Sequence, residues 1–194
     1  MEALHIIGEE HQSLAAVLHA IRFMLKEVAA GRLSPDLKLF QAMVRYLDAY
    51  AEQRHHPKED RLFNYLSLRS GEGKEALDKL AEQHLAAPQR IAALQHAVDD
   101  YVADPARFAE FAQAFEQYAD FYRSHMQLEE EVVLPLVRRY LTAEDWAAVN
   151  AEFREEMAAN DLGDASKADF KAFFSKLVAC APAPLGLGPR PWQD

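Results

Sequence analysis

The chain has 194 residues, 21 basic and 31 acidic, giving a net charge of −10, and half of its residues are apolar. That suits one ordinary domain with a real core and room for a small appendage. The acidity argues against nucleic acid as a partner, and the single cysteine, Cys180, excludes an internal disulfide framework and fits a reducing compartment.

The N-terminal MEALHIIGEEHQ has no basic stretch followed by an apolar run, so no signal peptide is expected. No segment approaches the ~20 apolar residues of a membrane span. The expectation is a cytoplasmic protein that contacts neither membrane nor nucleic acid.

Only seven glycines stand against abundant alanine, leucine and glutamate, a balance that favours helices. Helices are expected near 2–30, 36–69, 74–100 and 106–140, with shorter ones near 143–158 and 166–179. Ser34-Pro35-Asp36 and Asp104-Pro105 read as helix caps with proline at the first helical position. Thr142-Ala-Glu-Asp145 reads as a capping box with Asp in place of Glu or Gln. Residues 181–194 carry four prolines and two glycines and read as an extended tail, with Trp192 as the candidate anchor if that tail packs.

Each long helix has one seam at steps of three and four. The first reads Leu4, Ile7, His11, Leu14, Leu18, Ile21, Leu25, Val28. The second, slightly less regular, reads Phe40, Val44, Leu47, Ala51, His55, Glu59, Leu62, Leu66. The third reads Leu77, Leu80, His84, Ala87, Ile91, Leu94, Val98, and the fourth Phe108, Phe111, Phe115, Tyr118, Tyr122, His125, Glu129. Short connections between four such helices imply an all-α fold, an antiparallel up-down four-helix bundle. The bundle is expected over residues 1–141, and 142–194 form a C-terminal addition of one or two helices and the Pro-rich tail.

Every seam contains a histidine, His11, His55, His84 or His125, and two carry a glutamate four residues on, Glu59 and Glu129. Residues i and i+4 lie roughly 40° apart around a helix and about 6 Å along it, so both reach one region of the interior. Six unpartnered buried polar groups would each cost several kcal/mol, and a bound cation removes that cost. The spacing alone is common here, because five of the eight histidines have an acid at i+4. Placement on the seams separates the two pairs from His5, His19, His56 and His96, expected on the surface. His56–Asp60 is the rival of His55–Glu59, which continues the seam from Leu47 and Ala51. A lone His followed by His-x-x-x-Glu occurs twice, which suggests a pseudo-twofold pair of metal positions bridged by two carboxylates.

These motifs, His55-His-Pro-Lys-Glu-Asp60 and His125-Met-Gln-Leu-Glu-Glu-Glu-Val-Val-Leu-Pro135 with Glu-Glu-His11 and Glu-Gln-His84, resemble the hemerythrin-like (HHE cation-binding) family over roughly residues 5–140. Thr142-Ala-Glu-Asp-Trp146 resembles the helix that follows in bacterial members. The resemblance implies a non-haem di-iron centre, two iron ions held by His11, His55, Glu59, His84, His125 and Glu129, with Glu59 and Glu129 bridging. One departure stands out. Oxygen-carrying members have two histidines at i, i+4 on the third helix, and here positions 80 and 88 are Leu80 and Pro88. That leaves four histidines for two metals, with Tyr122 and Glu10 as competitors for an open position. A ferritin-like site needs Glu-x-x-His twice. Glu52-Gln-Arg-His55 supplies it once, without a counterpart.

Glu130 and Glu131 are expected on the solvated face or behind the ligands, and Cys180 as an inert thiol. The aromatic seam of the fourth helix is expected to be core. Pro57, Pro88 and Pro135 fall inside helices, either to aim the ligands by local kinks or merely to bend the helices. The functional expectation is a metal-binding protein that takes O₂ or NO at an open iron position, in sensing, iron handling or stress response. The alternatives are a di-iron enzyme reducing peroxide or NO, and a metal-dependent regulatory module; a homodimer is compatible with all three.

Overall fold

The computed structural model describes residues 1–163 and 166–186, and among these residues it is all-helical. The elements are α1 (Glu2–Ala29), α2 (Leu37–Leu47), a π-helical stretch (Asp48–His55), α3 (His56–Arg69), α4 (Lys74–Ala103), a 3₁₀ turn (Pro105–Arg107), α5 (Phe108–Leu128), a second π-helical stretch (Glu129–Val133), α6 (Leu134–Tyr140), α7 (Ala143–Gly163) and α8 (Ser166–Cys180). Trp192 lies outside the described residues.

The helix ends follow from the sequence. α1 stops because Gly31 adopts φ +68, which lets Gly31 N–H donate to Val28 O and Arg32 N–H to Glu27 O, the Schellman closure. The cap of α2 is Asp36 rather than Ser34: its carboxylate accepts from Leu39 N–H at 3.0 Å, so Pro35 precedes the helix. Asp104 caps the 3₁₀ turn by accepting from Ala106 N–H at 3.0 Å. Thr142 and Asp145 form the reciprocal box, with Asp145 N–H to Thr142 Oγ1 at 3.2 Å and Thr142 N–H to Asp145 Oδ2 at 2.9 Å.

The expected second and fourth helices are each interrupted. Leu47, Ala51, His55 and Glu59 repeat every four residues, as do His125, Glu129, Val133 and Val137, and all eight are buried. Sustained steps of four outrun the 3.6-residue turn, and a π turn with its i→i+5 bond absorbs the difference. His56 N–H donates to Ala51 O and Leu134 N–H to Glu129 O, each five residues back. Pro57 and Pro135 follow immediately. Neither can supply the N–H that an α-helix would need at its position, so the carbonyls of Gln53 and Glu131 lose their usual partners there. Pro88 behaves differently: α4 continues through it from Lys74 to Ala103, so it does not aim His84 by breaking the helix.

Two apolar clusters make the core. One gathers Ala3, Leu4 and Ile7 of α1 with Leu62 and Leu66 of α3, Leu80 of α4, Val133 of the second π-helical stretch, Val137 of α6, and Val149 and Phe153 of α7. The other gathers Leu14 and Ile21 of α1 with Phe40 and Leu47 of α2, Ile91 and Leu94 of α4, Phe111, Phe115 and Tyr122 of α5, and Leu177 of α8. α1 and α4 run from the first cluster to the second, and the α2–α3 and α5–α6 spans run back. Every one of these four spans is polar at its crossing point, so a polar layer lies between two apolar ones. α7 is tied to this body by Ala3 N–H to Asn150 Oδ1 at 2.9 Å, Tyr65 to Glu152 at 2.6 Å and the Arg69–Asp145 fork at 2.7 Å. Phe174 of α8 lies against Tyr46, with ring centroids 5.8 Å apart.

Candidate metal centre

The polar layer brings together all six residues expected from the sequence. His11, His55, Glu59, His125 and Glu129 are at most 3% exposed, and His84 is nearly covered. Glu59 sits at the middle. Its Oε1 is 3.1 Å from His11 Nε2 and 3.0 Å from His55 Nε2, while Oε2 faces His84 Nε2 at 3.6 Å and His125 Nε2 at 3.9 Å. Glu129 spans the same gap, with Oε2 at 3.2 Å from His11 Nε2 and Oε1 at 3.2 Å from His125 Nε2. Each carboxylate therefore offers one oxygen to either end of the layer.

A seventh residue joins them. His56 is 5% exposed, not a surface residue as expected. Its ring stacks on His84 at 4.3 Å and meets the edge of His125 at 5.1 Å. Two groups result whose candidate ligand atoms lie within 4.8 Å of one another: His11, His55 and Glu59, and His56, Glu59, His84 and His125. The π-helical stretch ends at His55 and α3 begins at His56, so this change of helical phase lets adjacent histidines serve opposite ends. Both His55 and His56 thus stand in groups that could hold an ion, and five histidines line the layer. His5, His19 and His96 are exposed, as expected.

The five imidazoles share one orientation. Each Nδ1 faces an oxygen outside the centre: His11 to Glu130 at 3.0 Å, His55 to Glu10 at 2.8 Å, His56 to Glu52 at 3.2 Å, His84 to Asp60 at 2.7 Å and His125 to the Gln83 amide at 3.1 Å. Those contacts place the proton on Nδ1 and leave the Nε2 lone pair for a cation, as in carboxylate–histidine–metal arrangements. Nε2 of His55, His56, His84 and His125, Glu59 Oε2 and both oxygens of Glu129 are buried without a hydrogen-bond partner. Orphaned buried acceptors on this scale need an explanation, and bound cations would supply it. Mixed imidazole and carboxylate donors suit iron, zinc or manganese.

Glu10 is removed from the list of competitors for a ligand position. It binds the outer face of His55 and pairs with the buried ammonium of Lys58. Glu130 stands behind His11, whereas Glu131 is exposed. Tyr122 is fully buried between the layer and the aromatic core, and burial pushes its phenol well above the ordinary range.

Without a cation the cluster holds protons instead. Burial opposes charge on His11, but Glu129 and Glu59 outweigh it and raise its pKa to about 11. Against the same cost, Glu59 and Glu10 raise His55 to about 9, and Asp60 and Glu59 raise His84 to about 10. Burial prevails for His56, whose pKa falls. Glu59 is held well below the carboxylate range, despite burial, by His55, His11 and His125. Glu129 is raised by burial and by the charge of Glu59.

Residues 2–137 match the model of the hemerythrin HHE cation binding domain. The chain belongs to that family. The match takes in every residue of the polar layer and ends before α7. No curated protein and no solved structure gives a match. Among the described residues no helix is long and apolar enough to cross a membrane.

Proposed function

We propose that this hemerythrin-family chain is an up-down four-helix bundle, α1, α2–α3, α4 and α5–α6, holding two iron ions. His11 and His55 would hold one, and His56, His84 and His125 the other, with Glu59 and Glu129 bridging. Residues 142–194 are then a C-terminal addition to a domain of 1–141. The observation that carries this reading is the shared orientation of the five imidazoles, each with Nδ1 toward an outer oxygen and Nε2 turned into the layer.

Five imidazoles and four carboxylate oxygens leave two six-coordinate cations short of donors, so an open position remains for a small ligand. Ferrous iron with such a position takes up O₂ or NO. The protein's part is to fix the rings, bridge the two cations and exclude water, with apolar clusters on either side. We place such a protein in the cytoplasm, in sensing, iron handling or defence against oxidative or nitrosative stress.

The test is an anaerobically iron-loaded sample followed by visible absorption as O₂ and then NO are admitted. A ligand-dependent spectrum from a two-iron sample supports the reading. Stoichiometric zinc in the protein as isolated, with no response of the iron-loaded form to either gas, overturns it.

A further inference from the structure

Around the polar layer, the buried side-chain atoms without a hydrogen-bond partner form a short set. Most of its members belong to the imidazoles and carboxylates of the layer. The hydroxyl of Tyr122 does not. A pair of cations satisfies the atoms of the layer because those are acceptors. It does nothing for an O–H donor, which needs an acceptor of its own.

The neighbouring tyrosine sharpens the contrast. Tyr118 and Tyr122 lie one turn apart on α5, both within 2% of full burial, with rings stacked at 5.8 Å. Tyr118 donates to Glu52 Oε1 at 3.2 Å, and the other oxygen of Glu52 holds His56 Nδ1. Its hydroxyl is therefore spent on positioning a histidine. Tyr122 has no such duty. Its ring stacks over His56 at 6.0 Å and lies 5.7 Å from His125, two of the three imidazoles at that end of the layer. Once both cations are in place, the ring nitrogens nearby are occupied, and a small molecule held at the metals brings a free end that accepts a hydrogen bond.

We propose that the Tyr122 hydroxyl donates a hydrogen bond to the exogenous ligand of the metal centre, a small anion or diatomic molecule with an electron-rich free end. The inference rests on the reading of the layer as a two-metal site. It assigns Tyr122 as a neutral donor and not as a metal ligand, so the isosteric Tyr122→Phe change separates the two roles.

The experiment compares wild type and Tyr122→Phe in three measurements: iron per chain, the dissociation constant of azide for the iron-loaded protein, and the thermal midpoint of the metal-free protein. The proposal expects unchanged iron content. Azide binding should weaken by roughly 10–100-fold, the worth of a hydrogen bond to a charged group. The metal-free midpoint should hold or rise, because the variant loses a hydroxyl that has no partner there. Equal azide affinity in the two proteins overturns the proposal. Loss of iron from the variant, or disappearance of a visible phenolate band, also overturns it by making Tyr122 a ligand. If wild type binds two irons yet no azide, the ligand-binding reading fails and the proposal with it; if it does not take up two irons, the metal-site reading itself fails.

Discussion

His55 and His56 are adjacent in the chain, yet their rings, 6.1 Å apart, serve opposite ends of one buried layer. His55 groups with His11 and Glu59, and His56 with Glu59, His84 and His125. Neighbours on a helix do not share a face, and the π-helical stretch that ends at His55 sets the angle that makes both useful. His56→Ala is expected to lower the metal content from about two ions per chain to about one and to leave the His11–His55 end loaded. Elemental analysis of the purified variant reads this directly, and two retained ions would show that His56 is only packing against His84.

Glu10 and Lys58 act through His55. Removing one partner of a buried ion pair leaves the other uncompensated, at a cost of about 3–5 kcal/mol. Glu10→Gln should therefore destabilise the metal-free protein and, by releasing His55 Nδ1, weaken metal binding by about 10–100-fold. Chemical denaturation and a competitive chelator titration measure the two effects. A variant that changes neither would remove Glu10 from the account.

The pH dependence of the metal-free protein follows from the raised histidines. Their pKa values are about 9 for His55, about 10 for His84 and about 11 for His11 in the folded chain, above the ordinary 6.5. A raised pKa contributes stability that is full below the unfolded value and is lost as pH climbs through the folded one. The thermal midpoint of the metal-free protein should therefore fall between neutral pH and about 11. Metal loading replaces those protons, so the loaded protein should keep its midpoint over most of that range, and metal uptake at neutral pH should release protons. Parallel melting curves with and without metal check this, and equal slopes would contradict it.

Gly73 tests the joint between α3 and α4. Its φ of +84 favours glycine, and an added Cβ would lie 2.5 Å from the Leu136 side chain of α6. Gly73→Ala is expected to cost about 1 kcal/mol, or a midpoint shift of about 2–4 °C in a chain of this size. Calorimetry of the variant decides it.

Much of this was legible in the residues. The steps of three and four located the helices, and the seams located His11, His55, Glu59, His84, His125 and Glu129. His56 was not legible because a regular helix turns it about 100° from His55, off the seam. The signal was present in two places: the run of fours from Leu47 to Glu59, too slow for an α-helix, and Pro57 within it. Glu52, four residues before His56, was visible only as half of a ferritin-like pattern. Its role behind His56 depends on a tertiary contact with Tyr118. The partners of His11 and His84, Glu130 and Asp60, are exposed acids like many others in a chain of charge −10, and only the packing of one helix against the next singles them out.

The central claim is that two cations share Glu59 and Glu129. Anaerobic titration of ferrous iron into metal-free wild type and the Glu59→Ala variant, with bound iron counted at saturation, tests it most directly. Two irons per wild-type chain are expected, with loss of both tightly bound ions in the variant, because each end gives up a shared oxygen. One iron in wild type, or two retained in the variant, would contradict it.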